Sequence, residues 1–126
     1  MTLDERDGRW WLLLARFYVD NEYRVADYGL PAARQAVALA PNDAQAIDTL
    51  GFALVLTGDL SNGQKLLEQA LALAPQSASV YYHLGLLHSR QGQFVDAALM
   101  LDQALKLDPE GYYGGLALQA LALLGQ

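Results

Sequence analysis

The stretches GQKLLEQALALAP (residues 63–75) and DAALMLDQALKLDP (residues 96–109) end on prolines 34 positions apart, and PAARQAVALAP (residues 31–41) ends on a third proline 34 positions earlier. Ala36, Ala70 and Ala104 stand in register, as do Val37, Leu71 and Leu105, then Leu39, Leu73 and Leu107. A small residue also recurs at Gly29, Gly63 and Ala97. The apolar spacing is that of a helix of about three turns, stopped where proline offers no N–H to continue it. A fixed period of this size is the mark of a repeated helix-turn-helix unit.

The segments in front of these helices repeat too. Leu50-Gly51 and Leu84-Gly85 lie 34 apart, each three residues after Ile47 or Tyr81, and Gly58-Asp59-Leu60 and Gly92-Gln93-Phe94 mark turns at the same interval. Asn42/Asp43 and Ser77 follow two of the prolines and suit helix N-caps. Each unit therefore reads as helix, short glycine-containing turn, helix, proline. Composition agrees: 26 Leu and 20 Ala against 10 residues of Val, Ile and Thr favour helix over sheet.

At these residues the chain resembles the tetratricopeptide repeat (TPR) family, whose first helix carries W-x2-L-G-x2-Y, followed by A-x3-F and a closing proline. The third unit reads Tyr81-x2-Leu84-Gly85-x2-His88, then Ala97-x3-Leu101, Ala104 and Pro109. The second reads Ile47-x2-Leu50-Gly51-x2-Leu54, then Gly63-x3-Leu67, Ala70 and Pro75. The first fits when shifted, as Trp11-x2-Leu14-Ala15-x2-Tyr18, which puts two extra residues into its turn within Asn21–Gly29. The resemblance implies an all-α solenoid, a right-handed superhelix of three helix pairs plus a C-terminal helix. The expected organisation is one domain over 1–126, with units at about 8–42, 43–76 and 77–110 and a terminal helix at about 111–125.

Several function classes are disfavoured. With no cysteine there is no disulfide framework, thiolate metal site or cysteine nucleophile. The acidic start is unlike a signal peptide, and the apolar run Trp10–Ala15 is too short to span a bilayer, so a cytoplasmic protein without membrane insertion is expected. A net charge of −6 opposes broad contact with nucleic acid. His83 and His88, five residues apart on one helix, point roughly 140° apart and cannot chelate one metal. His88 occupies an aromatic packing slot, while His83 is expected on the groove side, either binding or exposed. Gly111, Gly114 and Gly115 lack the lysine of a phosphate loop. No catalytic residue, metal site or cofactor is expected.

What remains is binding. In stacked helix pairs the first helices line an inner surface. The residues expected there are Leu12, Arg16 and Val19, then Asp48, Phe52, Val55 and Leu56, then Tyr82, His83, Leu86 and Arg90. The expected function is a protein–protein interaction scaffold that holds a peptide or helix of unknown identity in this groove. Chaperone-binding relatives clamp a carboxylate with Lys, Asn and Arg. The matching positions here are Leu12, Arg16, Thr49, Ser79 and His83, none of which carries the required residue. The terminal segment GYYGGLALQALALLGQ has no charge. Leu118, Leu121 and Ala122 are expected to pack on the third unit. Tyr113, Leu116, Ala120, Leu123 and Leu124 are expected to form a free face for a further partner, with homodimerisation as the alternative function.

Overall fold

The computed structural model describes residues 6–125, which contain seven α-helices, one π-helical turn and no strand. The helices are α1 (Gly8–Asp20), α2 (Leu30–Leu39), α3 (Ala44–Leu56), α4 (Leu60–Leu73), α5 (Ala78–Arg90), α6 (Phe94–Leu107) and α7 (Tyr112–Leu124). The chain is thus an all-α helical repeat. Its helices fall into two compact units, one ending at Leu73 and the other beginning at Ala74.

Capping chemistry sets where the helices begin. Asp43 accepts a hydrogen bond from the Gln45 backbone N–H at 3.0 Å ahead of α3, and Ser77 accepts one from Val80 at 3.3 Å ahead of α5. Each satisfies a backbone donor that has no partner inside the helix. Asp7 does the same for α1 through Arg9, whose guanidinium also lies 2.6 Å from its carboxylate. That side-chain hydrogen bond holds the Asp7 carboxyl below the ordinary carboxylate range. The turns after α3 and α5 pass through Gly58 and Gly92, at φ of 96° and 77°, a conformation that glycine adopts without steric cost.

In the first unit, the turn after α1 differs. Glu22 and Arg24 both take left-handed backbone conformations, at φ of 49° and 47°, and a π-helical turn (Val25–Gly29) leads into α2. Between them Tyr23 folds back so that its ring stacks 6.2 Å from Tyr18, which stacks at 5.4 Å on Tyr28 from the other turn. This segment absorbs the two extra residues. It restores the shifted alignment: a Cβ on Gly29 would meet Val19 at 3.2 Å, as one on Gly63 would meet Val55 at 2.8 Å. Ala15 is fully buried with Ala32, Ala33, Leu50 and Leu54, the cluster on which Trp11, Leu14 and Leu66 pack.

The second unit is α5, α6 and α7. Gly85 lies so close to α6 that a Cβ there would sit 2.7 Å from Leu101. Leu101, Ala104 and Ala117 form its buried centre, with Tyr81, Tyr82, Leu105, Ala120, Leu121 and Leu124 packed around them. This corrects the sequence expectation for α7. Leu121 does pack inward, but Leu118 is 58% exposed and Ala122 is exposed, whereas Ala120 and Leu124 join the core. The reason is that a first helix has two apolar faces. Leu50 and Leu54, 68 residues before Leu118 and Ala122, are covered in part by Leu66 of the helix that follows α3, and among the described residues no helix follows α7. Residues 117, 121 and 124 belong to the face that meets the preceding pair.

Candidate peptide-binding face

Within the first unit, the expected groove residues separate into two groups. Leu12 packs in a buried cluster with Ala36 and Ala46, so it belongs to the core. Val19 and Val55 are fully buried and fill the space that Gly29 and Gly63 leave open, which makes them packing residues between paired helices. Asp48 and Phe52 are also buried, each 5% exposed. These five cannot offer contact area to a ligand in this conformation. Arg16 and Leu56 keep partial exposure, and Arg16 pairs with Asp20 at 3.7 Å.

In the second unit, α5 and α7 bring their expected residues together. Tyr82 lies 6.0 Å, ring centre to ring centre, from Tyr113, and 5.6 Å from His83. The His83 ring meets the Tyr113 ring edge-on at 5.8 Å, and Tyr112 meets Tyr113 edge-on at 4.9 Å. His83 is only 4% exposed, so it supports the tyrosines from beneath instead of facing solvent. Tyr82, Leu86, Tyr113 and Leu116 are half-buried and Arg90 is exposed. The accessible surface of this pair is therefore apolar and aromatic with one arginine at its end. Leu123, at 69% exposure, stands clear of the core.

His88 is half-buried, and its Nδ1 is 2.7 Å from Gln93 Oε1, an oxygen that only accepts, so Nδ1 carries the hydrogen. Among the described residues no group of three His, Asp or Glu could hold a metal ion, and every buried side-chain nitrogen and oxygen has a hydrogen-bond partner. No described helix is long and apolar enough to cross a membrane. Gly114 has a packing role: a Cβ there would collide with the Asp108 carbonyl oxygen, so this glycine allows the α6–α7 turn to close.

Three exposed apolar groups escape the sequence reading. On α1, Trp10, Leu13 and Phe17 are 38, 57 and 57% exposed; on α6, Phe94, Val95 and Leu99 are 57, 77 and 63% exposed. Tyr23 and Tyr28 stand about half exposed beside Tyr18. The corresponding residues of α3, Thr49 and Ala53, 36 positions after Leu13 and Phe17, are buried, whereas α1 is the first described helix.

A model of the tetratricopeptide repeat family matches residues 42–110. Among solved structures, TTC0263, a thermophilic repeat protein of Thermus thermophilus, superposes with a TM-score of 0.78 at 23% identity over 94% of this chain. The first repeat domain of Spaghetti (RPAP3), with the HSP90 peptide SRMEEVD bound, gives 0.75 at 14% identity over 98%. YrrB, a repeat protein with an unusual peptide-binding site, gives 0.71 at 26% identity over 90%. The chain spans 94% of the RPAP3 domain, but 63% of TTC0263 and 56% of YrrB. A comparison with curated proteins finds no match.

Proposed function

Because the chain belongs to the tetratricopeptide repeat family of protein-interaction modules, we propose that it holds a short apolar peptide or amphipathic helix on its first-helix face. The observation that carries this reading is the aromatic pairing of Tyr82 with Tyr113, which joins α5 and α7 into one accessible surface continued by Leu86 and Leu116. Half-buried tyrosines present large rigid area at small entropic cost, and their hydroxyls can bond a peptide backbone. Peptide-bound RPAP3 and the peptide-binding site of YrrB favour an occupant of this kind.

The occupant differs from the acidic peptide bound by RPAP3. With Leu12, Thr49, Ser79 and His83 at the clamp positions and Arg16 engaged by Asp20, the face holds no set of free cations for a carboxylate. Arg90 at the exposed end of α5 suits a single acidic side chain flanking an apolar core. A surface of this size buries far less than the ~1,600 Å² of a standard interface, so micromolar affinity is expected.

Panning a displayed library of short random peptides on the chain tests this. Selected peptides should be apolar or aromatic and should lose at least tenfold in affinity for Tyr82→Ala with Leu86→Ala, read by fluorescence anisotropy on variants with unchanged helical circular dichroism. Unchanged affinity for that variant would place the peptide elsewhere and refute this reading.

A further inference from the structure

The first unit contains a filled version of a crevice that the second unit leaves open. Against α3 lies α4, whose Leu66 packs on the cluster that α2 and α3 build from Ala32, Ala33, Leu50 and Leu54. The pair α6 and α7 offers the matching walls, since Leu118 and Ala122 stand 68 residues after Leu50 and Leu54. Leu50 and Leu54 are 6 and 4% exposed, but Leu118 is 58% exposed. Beside it an open groove of about 580 Å³ runs between the helices, lined by Phe94, Val95, Leu99, Asp102, Leu121 and Leu124. This apolar groove is the candidate seat for a helix.

The seat does not suit an ordinary second helix of the repeat. Such helices approach closely because Gly51 and Gly85 face them, where a Cβ would come within 3.0 and 2.7 Å of Leu67 and Leu101. The corresponding residue of α7 is Gln119. An occupant must therefore ride higher and reach in with longer side chains.

We propose that the occupant is α1 of a second copy of this chain. Trp10, Leu13 and Phe17 lie one and two turns apart on one face of α1, the i, i+3, i+7 pattern by which amphipathic helices fill apolar grooves. Trp10 and Phe17 are longer than the leucines used inside the units. The ion pairs Arg9–Asp7 and Arg16–Asp20 beside the α1 face and Lys106–Asp102 beside the groove leave little net charge on either surface, so no like charges oppose the pairing. The exposed parts of the two faces sum to roughly 800–1,000 Å², at the low end for specific interfaces, so the association is weak and concentration-dependent. The two surfaces differ, so the pairing is heterologous: it closes as a reciprocal dimer or a ring, or it continues as a chain.

Sedimentation velocity on the full chain, from micromolar to about millimolar, tests this. Wild type should shift progressively from monomer to larger species. Leu13→Glu with Phe17→Glu, and separately Leu99→Glu with Leu118→Glu, should each stay monomeric, because each keeps only one half of the interface. All four positions are more than half exposed, so the fold should tolerate the changes. An equimolar mixture of the two variants should give a one-to-one complex and nothing larger. A wild type monomeric throughout overturns the proposal. So does an α1 variant that still dimerises, which would mean that the α6–α7 faces pair with each other, and so does a mixture that forms no complex.

Discussion

Replacing Gly63 by alanine sets two known effects against each other. In an exposed helix the change stabilises by about 1 kcal/mol, because glycine loses more backbone freedom on folding. Here the added Cβ would stand 2.8 Å from Val55 Cγ2 and 2.9 Å from the Gly51 carbonyl oxygen, both on the facing helix α3. Overpacking of a tight interior contact costs about 1–3 kcal/mol. The net expectation is a loss of about 1 kcal/mol, or a fall of ~3–5 °C in Tm for a domain of this size. Gly115→Ala is the internal control: nothing lies within 4 Å of its Cβ, so the helix gain should appear undiminished. The repeat itself indicates the rescue. Ala97 occupies the position of Gly63 in the next unit, fully buried, and there Ser89 stands where the second unit has Val55. In a Val55→Ala background the penalty of Gly63→Ala should therefore shrink by about 1 kcal/mol, a coupling of the size seen for touching residues. Urea unfolding of the four proteins in this cycle, with Gly115→Ala alongside, measures all of this. If Gly63→Ala stabilises as much as Gly115→Ala does, the close helix approach is wrong.

A covered leucine of α6 and an exposed one of α7 give a second contrast, read by thermal unfolding at low concentration. Leu101→Ala removes a fully buried side chain and should cost about 2–5 kcal/mol, while Leu118→Ala should change stability by no more than about 0.5 kcal/mol. Equal losses would mean that Leu118 is covered. Asp59, directly before α4, accepts hydrogen bonds from the side chain and backbone of Asn62 at 2.9 and 3.3 Å, and these hold its carboxyl below the ordinary value of 3.8. A carboxyl lowered on folding stabilises fully above its unfolded pKa, and that contribution disappears as pH falls through the folded value. The Tm advantage of wild type over Asp59→Asn should thus be constant near neutral pH and shrink only below 3.8. A difference that stays constant down to about pH 2 would refute this linkage.

The helix pairs are legible because small and large residues repeat at one spacing. Gly51 and Gly85 each meet a fully buried leucine, Leu67 and Leu101, and both partners are visible in the sequence. The route from α1 to α2 is not legible. It depends on two left-handed residues that are not glycine, Glu22 and Arg24, and on Tyr23 stacking against Tyr18, a gain that no local pattern announces. The binding face is legible in direction but not in depth. Periodicity tells which side Val19 and Val55 occupy, but they are buried because Gly29 and Gly63 bring the facing helix against them. The assignment of α7 failed for a related reason. Leu118, Leu121 and Ala122 are all apolar, and which of them is covered depends on the neighbouring helices that each one meets.

Exposed apolar residues also mark where the described residues are short of charge. In a repeat array the outer faces of terminal helices usually carry polar residues, and α1 and α7 are the first and last described helices. Here those positions hold Trp10, Leu13 and Phe17 at one terminus and Phe94, Val95, Leu99 and Leu118 at the other. On the proposed peptide face of α5 and α7, Arg90 is accessible. The deficit of charge therefore belongs chiefly to the exposed faces of α1, α6 and α7, and the proposed assembly and peptide surfaces are distinct. If copies join through the terminal faces, each assembly carries several peptide faces at high local concentration. A ligand with one peptide would bind no better, whereas one with two linked peptides would gain affinity by avidity of up to about 10²–10⁴-fold when its linker spans the sites. The gain should vanish for Leu13→Glu with Phe17→Glu, which leaves the Tyr82–Tyr113 face intact, so anisotropy with single and tandem peptides separates assembly from recognition.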